Sequence, residues 1–154
     1  MTVAGVTGTR FWEDLPVGAV IDLGRTTVLE QDVLDFGRRY DPQPFHTDPE
    51  AAKEFPYGGL IASGWHTAGL YMNLLATVGG VAGVGSPGVD RLRWPHPVRP
   101  GDTLTARMAV TGSRPSRSRP EIGITHWLAE MHNQRGDCVL SFVATSLVRR
   151  RPSR

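Results

Sequence analysis

A single cysteine, Cys138, leaves no partner for an internal disulfide in these 154 residues. It opens an apolar run and reads as a small buried hydrophobe, without motif support as a nucleophile. A reducing, cytoplasmic compartment is the simple expectation. The chain has no apolar run of about 18 residues, the length that crosses a bilayer as a helix. Its start shows no basic-then-apolar leader pattern. Neither a membrane nor a secretory role is expected. No glycine-rich loop followed by Lys-Ser/Thr is present, so nothing points to nucleotide phosphates. A surplus of positive charge is also missing from the body. The net charge is +2, but Arg149, Arg150, Arg151 and Arg154 crowd the tail, and Arg114, Arg117 and Arg119 crowd one Ser/Pro-rich stretch. Without those seven of the 17 cations, ten face 15 anions. The pI near 9.1 is therefore no argument for nucleic-acid binding.

What is present is ordinary for a globular chain: 40% hydrophobic and 21% charged residues. The length predicts one domain over 1–154, with loose ends at about 1–10 and 149–154. Val17–Leu29 reads as a strand region broken near Gly24. Glu30–Tyr40 reads as a helix with Val33, Leu34, Phe36 and Gly37 on one face. A short helix is expected over Pro49–Phe55, capped by Thr47 or Asp48. Ser63 to about Val78 is apolar nearly all round and predicts a buried helix ended by Gly79-Gly80. In Thr103–Thr111, Leu104, Ala106, Met108 and Val110 alternate with Thr103, Thr105 and Arg107. In Ile124–Asn133, Trp127, Ala129 and Met131 alternate with polar neighbours, before an Asn133–Gly136 turn. Val139–Val148 is apolar on both faces and predicts a central strand. Ser113–Pro120 reads as a mobile loop. One buried helix followed by a long antiparallel sheet is an α+β layer architecture.

The chemistry-bearing stretch is Tyr40-Asp41-Pro42-Gln43-Pro44-Phe45-His46-Thr47-Asp48. Pro42 and Pro44 lack amide donors and push Asp41 and Gln43 toward extended backbone. A stiff loop, not a helix, is expected. For Asp41 and His46 to meet, that loop must curl. A curled loop carrying a carboxylate and an imidazole is a plausible acid–base site; the bland reading is that Asp41 caps a turn and His46 satisfies a backbone group.

Asp41-Pro-Gln-Pro-Phe-His46-Thr-Asp48, followed by Gly58-Gly59-Leu60-Ile61-Ala62-Ser63-Gly64, resembles the signature of MaoC-like dehydratases, which include the (R)-specific enoyl-CoA hydratases. Trp94-Pro-His-Pro97-Val98-Arg-Pro100-Gly101-Asp102-Thr103-Leu104 resembles the PVxPGDTL segment of that family. The resemblance runs from about Phe11 to Val148. It implies a hot-dog fold, an antiparallel sheet wrapped around a long central helix, and usually a dimer. It implies hydration and dehydration of acyl thioesters, with Asp41 and His46 as the catalytic pair. It also implies that the Gly64 amide contacts the thioester oxygen. Ser63, Gln43 and Trp65 are the further substrate-binding candidates. Gln43 stands where the family often has Asn, which lengthens the amide arm. Trp65 either narrows the acyl pocket or is a core aromatic. His66 is either a third polar site group or structural.

The expected substrate is an acyl thioester of coenzyme A, or alternatively of acyl carrier protein, with no separate cofactor. Arg91, Arg93 and Arg99 are candidates for carrier phosphates. Asp41, His46, Asp48 and His66 are plausible metal-ligand types but lack a recognised spacing, and no metal is expected. A non-catalytic thioester-binding subunit and a hot-dog thioesterase are the competing readings.

Overall fold

The computed structural model describes residues 2–3 and 8–153. Strand β1 (Thr2–Val3) is followed by β2 (Val20–Thr27), helix α1 (Glu30–Tyr40), a one-turn helix α2 (Pro44–Thr47) and the long helix α3 (Gly64–Thr77). Four strands then complete the chain: β3 (Gly83–Arg93), β4 (Thr103–Pro115), β5 (Ile122–His132) and β6 (Cys138–Arg149). The sheet order is β1-β2-β4-β5-β6-β3, antiparallel except for the two-residue β1–β2 pairing. With α3 laid on its inner face, this is the hot-dog architecture.

The inner face works by alternation of side-chain size as well as polarity. Across β4, β5 and β6, Met108 lies beside Ala129 and Ala129 beside Phe142, while Val110 lies beside Trp127 and Trp127 beside Ala144. Large side chains thus stand next to small ones, and the layer fills without overlap. Tyr71 of α3 is fully buried on Trp127 and Phe142, with ring centroids 6.1 and 5.3 Å away, and its hydroxyl donates to the Arg107 carbonyl at 3.0 Å. Burial raises the Tyr71 pKa, so the hydroxyl stays protonated.

The alternating strands are where their patterns place them, and β6 lies inside the sheet between β5 and β3. Strand β2 carries its expected break: the register shifts between Asp22 and Gly24, and Gly24 has φ +82°. Five expectations need correction. The proline segment does contain a helix, α2, because Pro44 occupies its first turn, where a missing amide costs nothing. Pro49–Phe55 is a 3-10 turn over Ala51–Glu54, with Asp48 Oδ1 accepting from the Glu50 and Ala51 amides at 3.0 and 3.1 Å. Helix α3 is not buried all round: Trp65 is 58% and Met72 50% exposed, because only one of its faces meets the sheet.

The Ser113–Pro120 stretch is not wholly a loop either, since 113–115 continue β4. The tail, finally, is docked as far as Arg151. Arg150 contacts Glu13 and stacks over Trp12, and Arg151 grips both Asp14 oxygens at 2.7 Å. Of the expected loose start, residues 1 and 4–7 lie outside the described residues, while Arg10 is buried and donates to the Gly79 carbonyl behind α3. Among the described residues no helix is long and apolar enough to cross a membrane.

Candidate active site

The site forms where the ends of α1, α2 and α3 converge. Asp41 is the residue that stops α1; its amide still bonds the Gly37 carbonyl at 2.9 Å while its backbone leaves the helical region at φ −149°, ψ 69°. Pro42 then forbids helical continuation. The Gln43 amide bonds the Asp41 carbonyl at 2.8 Å, the His46 amide bonds the Gln43 carbonyl at 2.9 Å, and α2 folds His46 back toward Asp41. This is the curl the pair needs. Gly37 makes it possible: a Cβ there would lie 2.5 Å from the His46 carbonyl oxygen. The Gly37 requirement is a positioning feature that helical periodicity alone does not reveal.

The Asp41 and His46 side chains meet with Oδ2 and Nε2 3.3 Å apart. His46 is 5% exposed, and its Nδ1 lies 2.7 Å from the Ile61 carbonyl. A carbonyl only accepts, so Nδ1 carries a proton. In the neutral ring Nε2 is then a lone pair turned toward Asp41. The carboxylate has two further partners: Gln43 Nε2 donates to Oδ1 at 2.7 Å and Ser63 Oγ donates to Oδ2 at 2.7 Å. Burial raises the Asp41 pKa, but the Gln43 and Ser63 hydrogen bonds, joined by the positive charge of His46 when that ring is protonated, outweigh it, so the net shift is downward. Asp41 is ionised at neutral pH.

Ser63 is 1% exposed and links two functions. Besides donating to Asp41, its Oγ accepts from the Trp65 amide at 3.3 Å as the N-cap of α3. Gly64 is the first residue of α3, where backbone amides have no intrahelical acceptor and the helix dipole is positive. Asp41, Gln43 and Ser63 are therefore in one hydrogen-bonded group, with the His46 ring 3.3 Å from the carboxylate and Gly64 adjoining. A cleft of about 450 Å³ opens on His46 and Gly64, walled by Phe45, Tyr57, Thr67, Trp94, His96 and Val139 among others.

Trp65 is neither core nor cleft lining; it stands outside and packs edge-on against Trp94 with centroids 5.2 Å apart. His66 turns away toward α1 and stacks on Phe36 at 5.1 Å, with its Nδ1 buried and unpartnered. Burial lowers its pKa against the opposing pull of Asp32, so it is neutral. Burial raises the Cys138 thiol, which argues against a nucleophile there. Arg99 donates to the Tyr57 carbonyl at 2.5 Å, whereas Arg91 and Arg93 are exposed on β3. Among the described residues no three His, Cys, Asp or Glu side chains form a metal-holding group. Trp94 escaped sequence reasoning as a site residue; it lay inside the second motif but outside the residues with titratable chemistry.

The family model described as MaoC like domain matches residues 15–128. The chain belongs to the MaoC-like domain family. An (R)-specific enoyl-CoA hydratase of Rhodospirillum rubrum is 33% identical over 110 residues, covering 70% of this chain and 74% of that protein. An uncharacterised Bacillus subtilis protein is 27% identical over 140 residues, covering 90% and 98%. Among solved structures, a MaoC-like dehydratase from Rhodospirillum rubrum superposes with TM-score 0.83 at 42% identity, over 94% of this chain and 99% of that one. The MaoC-like match spans α1, α2, α3 and much of the sheet, so it includes Asp41, Gln43, His46, Ser63 and Gly64, while Val139 of the cleft wall lies beyond it on β6.

Proposed function

We propose that this MaoC-like protein hydrates and dehydrates acyl thioesters, interconverting a trans-2-enoyl-CoA and a (3R)-hydroxyacyl-CoA. The observation that carries the reading is the Asp41–His46 pair, 3.3 Å apart, with Nδ1–H fixed on the Ile61 carbonyl. An ionised carboxylate and a lone-pair nitrogen are both acceptors. One water donating an O–H to each satisfies both. On attack, the water oxygen bonds C3 and its proton passes to His46 Nε2. The imidazolium is stabilised by Asp41 and returns the proton to C2. The hydroxyl and hydrogen of one water are thus both accounted for, and no redox step occurs. Charge developing on the thioester oxygen is met by the Gly64 amide at the positive end of α3. Gln43 and Ser63 hold Asp41 ionised and oriented. Likeness to named hydratases supports the substrate class.

Coenzyme A enters as part of the substrate, and the protein needs no separate cofactor. The same reading makes it a cytoplasmic homodimer or higher oligomer, with fatty acid metabolism as its context. The test is a hydration screen across trans-2-enoyl-CoA chain lengths, with free thiol followed in parallel. Loss of the enoyl absorbance without thiol release supports the proposal. Thiol release indicates a thioesterase, and binding without turnover indicates a non-catalytic subunit; either outcome overturns it.

A further inference from the structure

Trp94 occupies an unusual position for so large a side chain. It is 39% exposed, yet its ring is pressed against the Cα of Gly64: a Cβ at that glycine would lie 2.5 Å from Trp94 Cδ2 and 2.9 Å from Cζ2. The indole follows the end of β3 and is flanked by Pro95, which restricts its backbone. The segment is also tied to the start of α3, because the Ala62 amide bonds the Val98 carbonyl at 2.8 Å. Two consecutive residues of the α3 start thus face different partners. Ser63 touches Asp41, and Gly64 touches Trp94. The indole lines the same cleft as His46. Its outer edge meets Trp65, so the ring is held by aromatic packing on the solvent side as well.

We propose that Trp94 is the specificity-determining wall of the site: its indole lies against one face of the planar enoyl thioester and leaves only the other face open to the water held by Asp41 and His46. The inference rests on the hydratase reading and adds to it the origin of product handedness. An enoyl thioester is flat from C3 to sulfur. With its oxygen on the Gly64 amide it can still be bound either way up. A rigid flat surface beside that amide covers one face, and with the carrier leaving by one end of the cleft the exposed face is fixed, and with it the hand of the new C3 centre. Addition remains as written above, with hydroxyl to C3 and proton to C2.

The test uses trans-2-butenoyl-CoA with the wild type, Trp94→Phe, Trp94→Leu and Trp94→Ala. Measurements are KM, kcat and the ratio of 3-hydroxy enantiomers by chiral separation. Loss of the ring in the Leu and Ala variants raises KM roughly 3- to 10-fold and raises the minor enantiomer by a similar factor, in line with the modest strength of aromatic packing. Trp94→Phe keeps a flat wall and restores both to within about twofold of wild type. A product of unchanged hand in the Leu variant overturns the proposal, whatever happens to KM. So does a Phe variant as compromised as Leu, since the effect would then belong to packing on Gly64. A second readout is independent of turnover. Saturated butanoyl-CoA, which cannot be hydrated, quenches tryptophan fluorescence in the wild type and in Trp65→Phe but not in Trp94→Leu. If no enoyl-CoA is hydrated but this quench pattern holds, the activity reading fails and Trp94 stands as the acyl-thioester wall. If hydration proceeds and the quench survives in Trp94→Leu, the wall fails and the activity stands.

Discussion

The two ends of α3 are built on opposite terms. At its N-terminus, Asp41, Gln43, His46 and Ser63 are hydrogen-bonded to one another or to backbone, and each bond orients a titratable group. Toward its C-terminus, Met72, Leu75 and Ala76 face a cavity of about 510 Å³ lined largely by apolar side chains of β5 and β6 and by the glycine-rich β3. There the Thr125 hydroxyl is buried with no partner. Each end leaves one buried polar atom without a partner, His66 Nδ1 at one and the Thr125 hydroxyl at the other, but only the N-terminal end also joins its polar atoms into a set around a carboxylate and an imidazole. Burial alone therefore does not mark a site. What marks it is a closed set of polar contacts around two groups with different proton demands.

The comparison breaks first at its chemical core. Asp41→Asn and His46→Gln are each expected to lower hydration of a trans-2-enoyl-CoA by about 10²–10⁴-fold while circular dichroism stays unchanged. Gly64→Ala comes next. Its methyl must displace the Trp94 ring, so a loss of about 1–3 kcal/mol in denaturant stability accompanies a fall in kcat/KM. A third pair of variants sets the two ends directly against each other. Ser63→Ala removes a helix cap and a hydrogen bond to a carboxylate and should cost about 1–3 kcal/mol. Thr125→Val, which replaces an unpartnered buried hydroxyl by a methyl, should be neutral or stabilising by up to about 1 kcal/mol. Equal losses in urea unfolding would erase the distinction.

A smaller effect separates the two buried histidines. Burial holds His66 below the ordinary histidine value of 6.5, so the unfolded chain binds this proton more readily than the folded one. The stability it leaves intact is present above about pH 6.5 and declines as pH falls below it. His66→Phe, stacked on Phe36, should flatten that decline between about pH 6.5 and 5 in thermal melts. Smallest of all is the tail. Removal of 150–154 breaks exposed pairs to Glu13 and Asp14, each worth roughly 0–1 kcal/mol, and should leave kcat unchanged.

Most of this architecture was legible in the chain. The two-residue alternation of β4 and β5 survives because one sheet face is buried, and α1 survives because Val33 and Gly37 fall on one stripe. Strand β3 was not legible. Its glycines, Ser86 and Pro87 carry no strand pattern, and it is exposed on both faces, so no alternation exists to find. Its edge position and its pairing with β6 make it a strand, not its own residues. Within the site, Asp41 and His46 were legible as chemistry flanked by prolines, and Ser63 and Gly64 through family resemblance. Gly37 and Trp94 were not, because their parts depend on approach distances that only the folded chain sets.

The central claim is that Asp41 and His46 act as one unit on one water. The decisive measurement is the double-mutant cycle of Asp41→Asn and His46→Gln, read as kcat/KM on a trans-2-enoyl-CoA. The double variant is expected to lose little more than either single variant, because residues acting as a unit are non-additive. Single losses that multiply in the double variant would contradict it, and single variants with near-wild-type rates would contradict the assignment itself.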